Sequence, residues 1–211
     1  MGASSAMYNA LKRRLSFSIN YIDWPEYRGE KTYAEIAARL ITENGIADGD
    51  IVGGSSLGGV VSLEIAKQIK PRAIILLGSA MNPSEVQGLL RLLSPLAEVT
   101  PISLLQLVTG KTGTVVGTMF SKSDAQFIRA MSLYLPSWPG YSAPIENVYR
   151  LHGRRDKIIP CPSAGTDVIE DAGHLLVMTH VQESARFLEK VRSKLYSREV
   201  GQSSAKPDSQ F

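Results

Sequence analysis

The sequence is short of the groups that metal centres and disulfide scaffolds are built from. It has one cysteine, Cys161, and three histidines, His152, His174 and His180, in 211 residues. A single cysteine excludes an internal disulfide and leaves a reducing compartment unopposed. The four residues are scattered without ligand spacing, so neither a metal nor a metal cofactor is expected. No apolar run approaches the ~18 residues of a membrane span. The N-terminus lacks a basic stretch followed by an apolar one, so no signal peptide is read, and a cytoplasmic location is the expectation. A strong excess of one charge is also missing. Lys and Arg number 23 against 20 Asp and Glu, a net charge of +3 with a pI near 9.0. The densest basic cluster, Lys12-Arg13-Arg14, reads as a solvated helix face, and no nucleic-acid partner is expected. Gly110-Lys111-Thr112 invites a phosphate-loop reading, but that spacing requires glycine at 105, where Leu105 stands, so no nucleotide cofactor is expected.

What is present is an ordinary globular mixture, 44% hydrophobic and 20% charged, long enough for one domain with a substantial core. Met7, Leu11 and Leu15 recur at helical spacing over 6–15. Phe17, Ile19 and Tyr21 alternate with period two, which predicts a strand over Ser16 to Asp23. Thr32 and Glu35 form a capping box for a helix with Tyr33, Ile36, Ala37, Leu40 and Ile41 on one face, stopping at Gly45. Ile51-Val52 is a strand, and 60–70 a helix ended by Pro71. Ala73 to Leu77 is a continuous apolar run, the pattern of a strand buried on both faces of a parallel sheet. From Ser84 to Ala143 the strand–helix alternation stops. Helical segments are expected at Ser84 to Glu98, Ile102 to Val108 and Ser121 to Leu135. Strands return at Ile145 to Leu151 and Thr166 to Ile169. A last amphipathic helix carries Val181, Ala185, Leu188, Val191 and Leu195. Beyond Ser197 the polar, core-free composition reads as a disordered tail. The alternation predicts an α/β fold with a mostly parallel sheet and helices on both faces.

Between the strand at 51–52 and its helix lies Gly54-Ser55-Ser56-Leu57-Gly58, a G-x-S-x-G spacing. That is the spacing of a nucleophile elbow, in which a serine sits on a tight strand-to-helix turn. The turn requires a strained serine backbone, with glycines two residues either side to avoid collision. It pushes Ser56 Oγ outward and aims the Leu57 amide at the same space. Asp156 follows a strand end, and His174 follows the last strand beside Gly173. In a parallel sheet functional groups gather beyond the carboxyl ends of the strands, so Ser56, Asp156 and His174 fall on one edge. A serine hydroxyl needs an imidazole to take its proton, and the imidazole needs a carboxylate to fix its tautomer. His152, before the Gly153 turn, and His180, at a helix start, read as ordinary residues and not as the base.

Three stretches now carry a resemblance. Gly54 to Gly59, the turn His152-Gly153-Arg154-Arg155-Asp156 leading to Pro160, and Asp171-Ala172-Gly173-His174 resemble the elbow, acid turn and histidine loop of the α/β-hydrolase superfamily. The resemblance runs to about Leu195. It implies Ser56 as nucleophile, His174 as general base and Asp156 as orienting acid. It implies a core of residues 1–80 and 145–196 under a helical cap at 81–144, with 197–211 as the tail. It also implies two oxyanion donors, the backbone amides of Leu57 and of Ala3 in the loop Gly2-Ala3-Ser4-Ser5. The chain departs from the family at its start. The strand expected before that loop, between the strand at 17–23 and the elbow strand, is absent along with the first hairpin. The expectation is a segment of a longer protein whose upstream part supplies an apolar strand; the alternatives are direct pairing of the strand at 17–23 with the elbow strand, or a strand from a partner chain.

The leading functional expectation is a serine hydrolase acting on a small or medium carboxylic ester or related acyl compound. Leu89, Leu93, Leu96, Leu104 and Leu107 of the cap either favour an apolar group on this small-molecule substrate or hold the cap to the core. The same triad serves carbon–carbon bond hydrolysis, lyase chemistry or cofactor-free peroxidation, and a non-catalytic binding protein on a hydrolase scaffold is the third reading. Whether the chain forms a homo-oligomer stays open.

Overall fold

The structure, a computed structural model, describes residues 5–86, 124–143 and 146–203. A 3₁₀ turn at Ser5–Tyr8 runs into α1, Asn9–Lys12, followed by α2, Tyr33–Asn44. Then come β1, Ile51–Ser55; α3, Leu57–Ala66; and β2, Ala73–Leu77. After α4, Ala125–Tyr134, the chain continues through β3, Val148–Gly153; β4, Asp167–Ile169; α5, Leu176–Thr179; and α6, Val181–Ser203. The four strands form one parallel sheet in the order β1-β2-β3-β4.

Strand β2 shows why the sheet is covered on both sides. Ile74 and Leu76 enter one apolar cluster with Ile36, Leu40, Val60 and Leu63 of α2 and α3. Ala73 and Leu77 enter a second with Leu11, Leu188, Val191 and Leu195 of α1 and α6. Alternate side chains of one strand therefore feed opposite helix layers, as a continuous apolar run demands. Helix α2 starts where its sequence says it should. Thr32 accepts the Glu35 amide, the Glu35 carboxylate accepts the Lys31 amide, and Gly45 ends the helix at φ 64°.

The strand expected at Ser16 to Asp23 does not form. The segment is irregular, and among the described residues β1 pairs only with β2. The segment has better partners elsewhere. The Glu189 carboxylate of α6 accepts from the Ser16 amide and hydroxyl, at 2.6 and 3.0 Å. The Arg192 guanidinium lies 5.0 Å from the Phe17 ring, and Tyr21 packs on Tyr8 with ring centroids 4.9 Å apart. These anchors hold 16–23 across a cavity of about 680 Å³ from the edge of β1 that faces away from β2. The cavity is bounded by Val52 and Gly53 of the strand, Val61 and Ile65 on one face, and Val191 and Leu195 on the other. Direct pairing of 17–23 with the elbow strand is thus not what the chain does.

Other boundaries moved less. Helix α1 stops at Lys12, short of Leu15, and α3 gives way to turns after Ala66. Helix α6 continues to Ser203, through residues the sequence assigns to a tail. Helical backbone bonds there need no buried apolar face, and Ser197 Oγ adds one to the Ser193 carbonyl at 2.9 Å. Of the helices expected between Ser84 and Ala143, α4 and a 3₁₀ turn at Pro83–Val86 are described. The segment Ile102 to Val108 and the leucines at 89, 93, 96, 104 and 107 lie outside the described residues.

Candidate active site

The site is assembled at the carboxyl ends of β1, β3 and β4. Strand β1 ends at Ser55 and α3 begins at Leu57, leaving Ser56 alone to reverse the chain. Its backbone sits at φ 52°, ψ −124°, and it is the one non-glycine residue with positive φ among those described. Such a conformation costs about 1–3 kcal/mol and persists only where the surroundings impose it. The surroundings do so by hydrogen bonds from both sides. The Ser56 amide donates to the Leu77 carbonyl at 3.2 Å, and the Ser56 carbonyl accepts from Ser79 Oγ at 2.6 Å and from the Gly59 amide at 3.0 Å.

The two elbow glycines are not equivalent. A Cβ on Gly54 would overlap the Gly58 carbonyl carbon and stand 2.7 Å from the Gly59 nitrogen, so the crossing excludes a side chain there. A Cβ on Gly58 would meet only the Trp24 ring, at 4.0 Å. The steric argument made from the sequence for both glycines therefore applies to Gly54 and not to Gly58. The backbone that crosses Gly54 does so on one side of the turn only.

Ser56, His174 and Asp156 form one hydrogen-bonded chain. His174 Nε2 lies 2.8 Å from Ser56 Oγ, and His174 Nδ1 lies 2.8 Å from Asp156 Oδ2. An aspartate oxygen can only accept, so Nδ1 carries the ring proton and Nε2 faces the serine as an acceptor. Asp156 is fully buried at its side chain. Its other oxygen accepts the amides of Ile158 and Ile159, at 2.8 and 3.0 Å. Burial alone would push this carboxyl up. Hydrogen bonds from His152 and His174, the His174 charge and the Ile159 amide outweigh burial and hold it well below the usual carboxylate range. Asp156 is therefore ionised throughout the neutral range.

Leu57 begins α3, and its amide is among the first-turn donors that no helix carbonyl reaches. Ala3 lies outside the described residues. His180 stands apart from the chain, 3.3 Å from Asp171 Oδ1 at the surface. Among the described residues no group of three or more His, Cys, Asp or Glu side chains could hold a metal ion, and no helix is long and apolar enough to cross a membrane.

Three further residues enter the site that sequence reasoning did not assign to it. His152 reaches the same carboxylate oxygen as His174, with Nε2 3.2 Å from Asp156 Oδ2. Its signal was its place four residues before Asp156 in the acid turn. Ser79 braces the elbow carbonyl and in turn lends its own carbonyl to Arg150, which pairs with Glu85 at 2.7 Å. Tyr8 donates to Ser55 Oγ at 2.9 Å. Burial pushes the Tyr8 phenol up, hydrogen bonds to Ser55 offset part of this, and it stays a protonated donor. Nothing in the local sequence marks Tyr8 or Ser79, because each acts across a distant chain crossing.

No protein-family model and no curated protein matches the sequence. Solved structures do match in shape. A thermophilic esterase from Thermogutta terrifontis superposes with a TM-score of 0.69 at 19% identity, covering 92% of this chain and 86% of its own. A meta-cleavage product hydrolase from Pseudomonas fluorescens gives 0.65 at 13% identity, covering 92% and 88%. A carboxylesterase from the ammonia-oxidizing Nitrososphaera gargenis gives 0.61 at 16%, covering 82% and 79%. Likeness in shape at these identities is a statement about architecture, and with the parallel sheet and the strand-end loops it gives the conclusion that this chain has the α/β-hydrolase fold.

Proposed function

We propose that the protein is a serine hydrolase that cleaves a small or medium carboxylic ester, or a related acyl compound, through an acyl-Ser56 intermediate. The observation that carries this reading is the unbroken chain from Ser56 Oγ to His174 to Asp156, with 2.8 Å at both links. In the first half-reaction the Ser56 proton moves to His174 Nε2 as Oγ bonds to the substrate carbonyl carbon. Asp156 stabilises the imidazolium without taking its proton. The Leu57 amide, at the positive end of α3, donates to the oxygen that becomes negative. Collapse breaks the carbon–oxygen bond to the alcohol, which leaves with the proton from His174. A water, deprotonated by His174, then attacks the acyl carbon and returns Ser56 to its starting state. The loop at Ala3 is assigned the second oxyanion donor, and the stretch 81–144 the cap whose leucines meet an apolar group of the substrate.

The likeness to a meta-cleavage product hydrolase supports a second reading, carbon–carbon bond hydrolysis on the same three residues. A panel of p-nitrophenyl esters of rising acyl length separates the two. Turnover with a pre-steady-state burst, abolished in Ser56→Ala, is expected. Failure to turn over any member would overturn the ester reading and favour the second.

A further inference from the structure

His152 is buried on every side, at 0% exposure, and the chemistry proposed above makes no use of it. Its Nε2 lies 2.8 Å from the Ile159 carbonyl oxygen and 3.2 Å from Asp156 Oδ2. Both neighbours are acceptors, so Nε2 must carry the proton. Its Nδ1 is buried without a hydrogen-bond partner among the described residues. Placing a second proton there would bury an unpaired charged N–H, so the ring is neutral. A neutral imidazole with its one N–H shared between a carbonyl and the Asp156 carboxylate is a fixed donor. It competes with the His174 Nδ1–H for a single oxygen.

We propose that His152 is a positioning residue whose Nε2–H holds Asp156 Oδ2 against His174 and draws off part of the carboxylate charge that His174 would otherwise receive. The inference rests on the hydrolase reading for its consequence, because that reading makes His174 the base. Two hydrogen bonds to Oδ1 fix one side of the carboxylate, from the amides of Ile158 and Ile159. His152, reaching from β3, fixes the other and limits how far Oδ2 can follow the imidazole. The remaining groups nearby are already engaged. Arg154 pairs with the exposed Glu170 and Arg150 with Glu85. The Cys161 thiol is pushed up by burial, against the pull of Arg154, and stays neutral. With His152 removed, Oδ2 has one N–H left to accept, and the basicity of His174 rises.

The test compares wild type, His152→Leu and His152→Gln in the full chain. Glutamine places an amide N–H near the position of Nε2; leucine removes it. Two readouts are taken. One is the acid limb of kcat/KM on a p-nitrophenyl ester. The other is the downfield proton resonance of the His174 Nδ1–H, which needs no substrate. The leucine variant is expected to move the acid limb up by roughly one pH unit, with KM unchanged, and to move the resonance downfield. The glutamine variant is expected to return both toward wild type. If the leucine variant fails to fold, His152→Asn, whose amide falls short of Oδ2, takes its place with the same expectation. An acid limb and resonance that stay put while only the melting temperature falls would overturn the proposal and leave His152 a brace for the 153–159 turn. Wild type inactive on every ester would count against the ester reading alone, since the resonance still decides the role of His152.

Discussion

Replacing Ser56 by glycine separates the strain in the elbow from its chemistry. Serine at φ 52°, ψ −124° carries about 1–3 kcal/mol of backbone strain, which any residue with a Cβ shares and glycine does not. Alanine and glycine both lose the hydroxyl and its 2.8 Å link to His174, so their difference cancels the hydrogen bond and isolates the backbone. Glycine also gives the unfolded chain more freedom, which counts against it by ~0.4–1 kcal/mol. The difference leaves Ser56→Gly more stable than Ser56→Ala by about 1 kcal/mol. At an unstrained strand-to-helix junction the order would be reversed by ~0.5–1 kcal/mol. For a chain of this size 1 kcal/mol is about 2–4 °C in melting temperature. Urea titrations with a common m-value, supported by thermal melts, resolve a gap of that size. Both variants are expected to be inactive. A glycine variant that unfolds before the alanine variant would refute the claim that the elbow stores strain.

Four other outcomes follow from the same geometry. Gly54→Ala forces a methyl into the Gly58 backbone and should destabilise by at least ~1–3 kcal/mol and abolish activity, whereas Gly58→Ala, facing only Trp24 at 4.0 Å, should fold and melt close to wild type; parallel melts of the two decide this. Asp156→Asn should lower kcat by about 10⁴-fold, since the tautomer that presents Nε2 as acceptor is lost. Because the native Asp156 carboxyl is held low, its stabilising effect is in place above the unfolded value of ~3.9 and disappears as pH falls through the folded one. The stability gap between wild type and Asp156→Asn should therefore narrow below about pH 4, as read by urea titration at each pH. Arg150→Met strands the Glu85 carboxylate and removes the donor to Ser79, and should cost about 3 kcal/mol, much of it recovered in the double variant with Glu85→Met.

The three loops were legible in the sequence because each is marked locally. Gly54, the turn after His152 and the pair Gly173-His174 stand at strand ends, and a parallel sheet brings strand ends together whatever their separation along the chain. The apolar run Ala73 to Leu77 was legible for a related reason. A strand covered on both faces has no polar alternation, and its bounds came out as read. The segment Ser16 to Asp23 misled because alternation reports which side chains share a face, not whether a neighbouring strand is within reach. Here Phe17 and Tyr21 find Arg192 and Tyr8 instead, and Ile19 and Ile22 remain exposed at the rim of the cavity beside β1. Ser79, Tyr8 and the Arg150–Glu85 pair were invisible because their roles arise from contacts 23 to 71 residues apart. His152 was visible as part of the acid turn but was read as a bystander, since spacing alone does not show that it and His174 meet one oxygen.

The central claim is that Ser56 is a nucleophile activated by His174, and covalent labelling tests it most directly. Wild-type protein treated with a fluorophosphonate should gain one label per chain, mapped by peptide mass spectrometry to Ser56. Ser56→Ala, which keeps Ser55 in the elbow and Ser79 beside it, should gain none, and His174→Ala should label at a rate lower by orders of magnitude. Labelling that persists in Ser56→Ala, or that maps to another serine in wild type, would contradict the account.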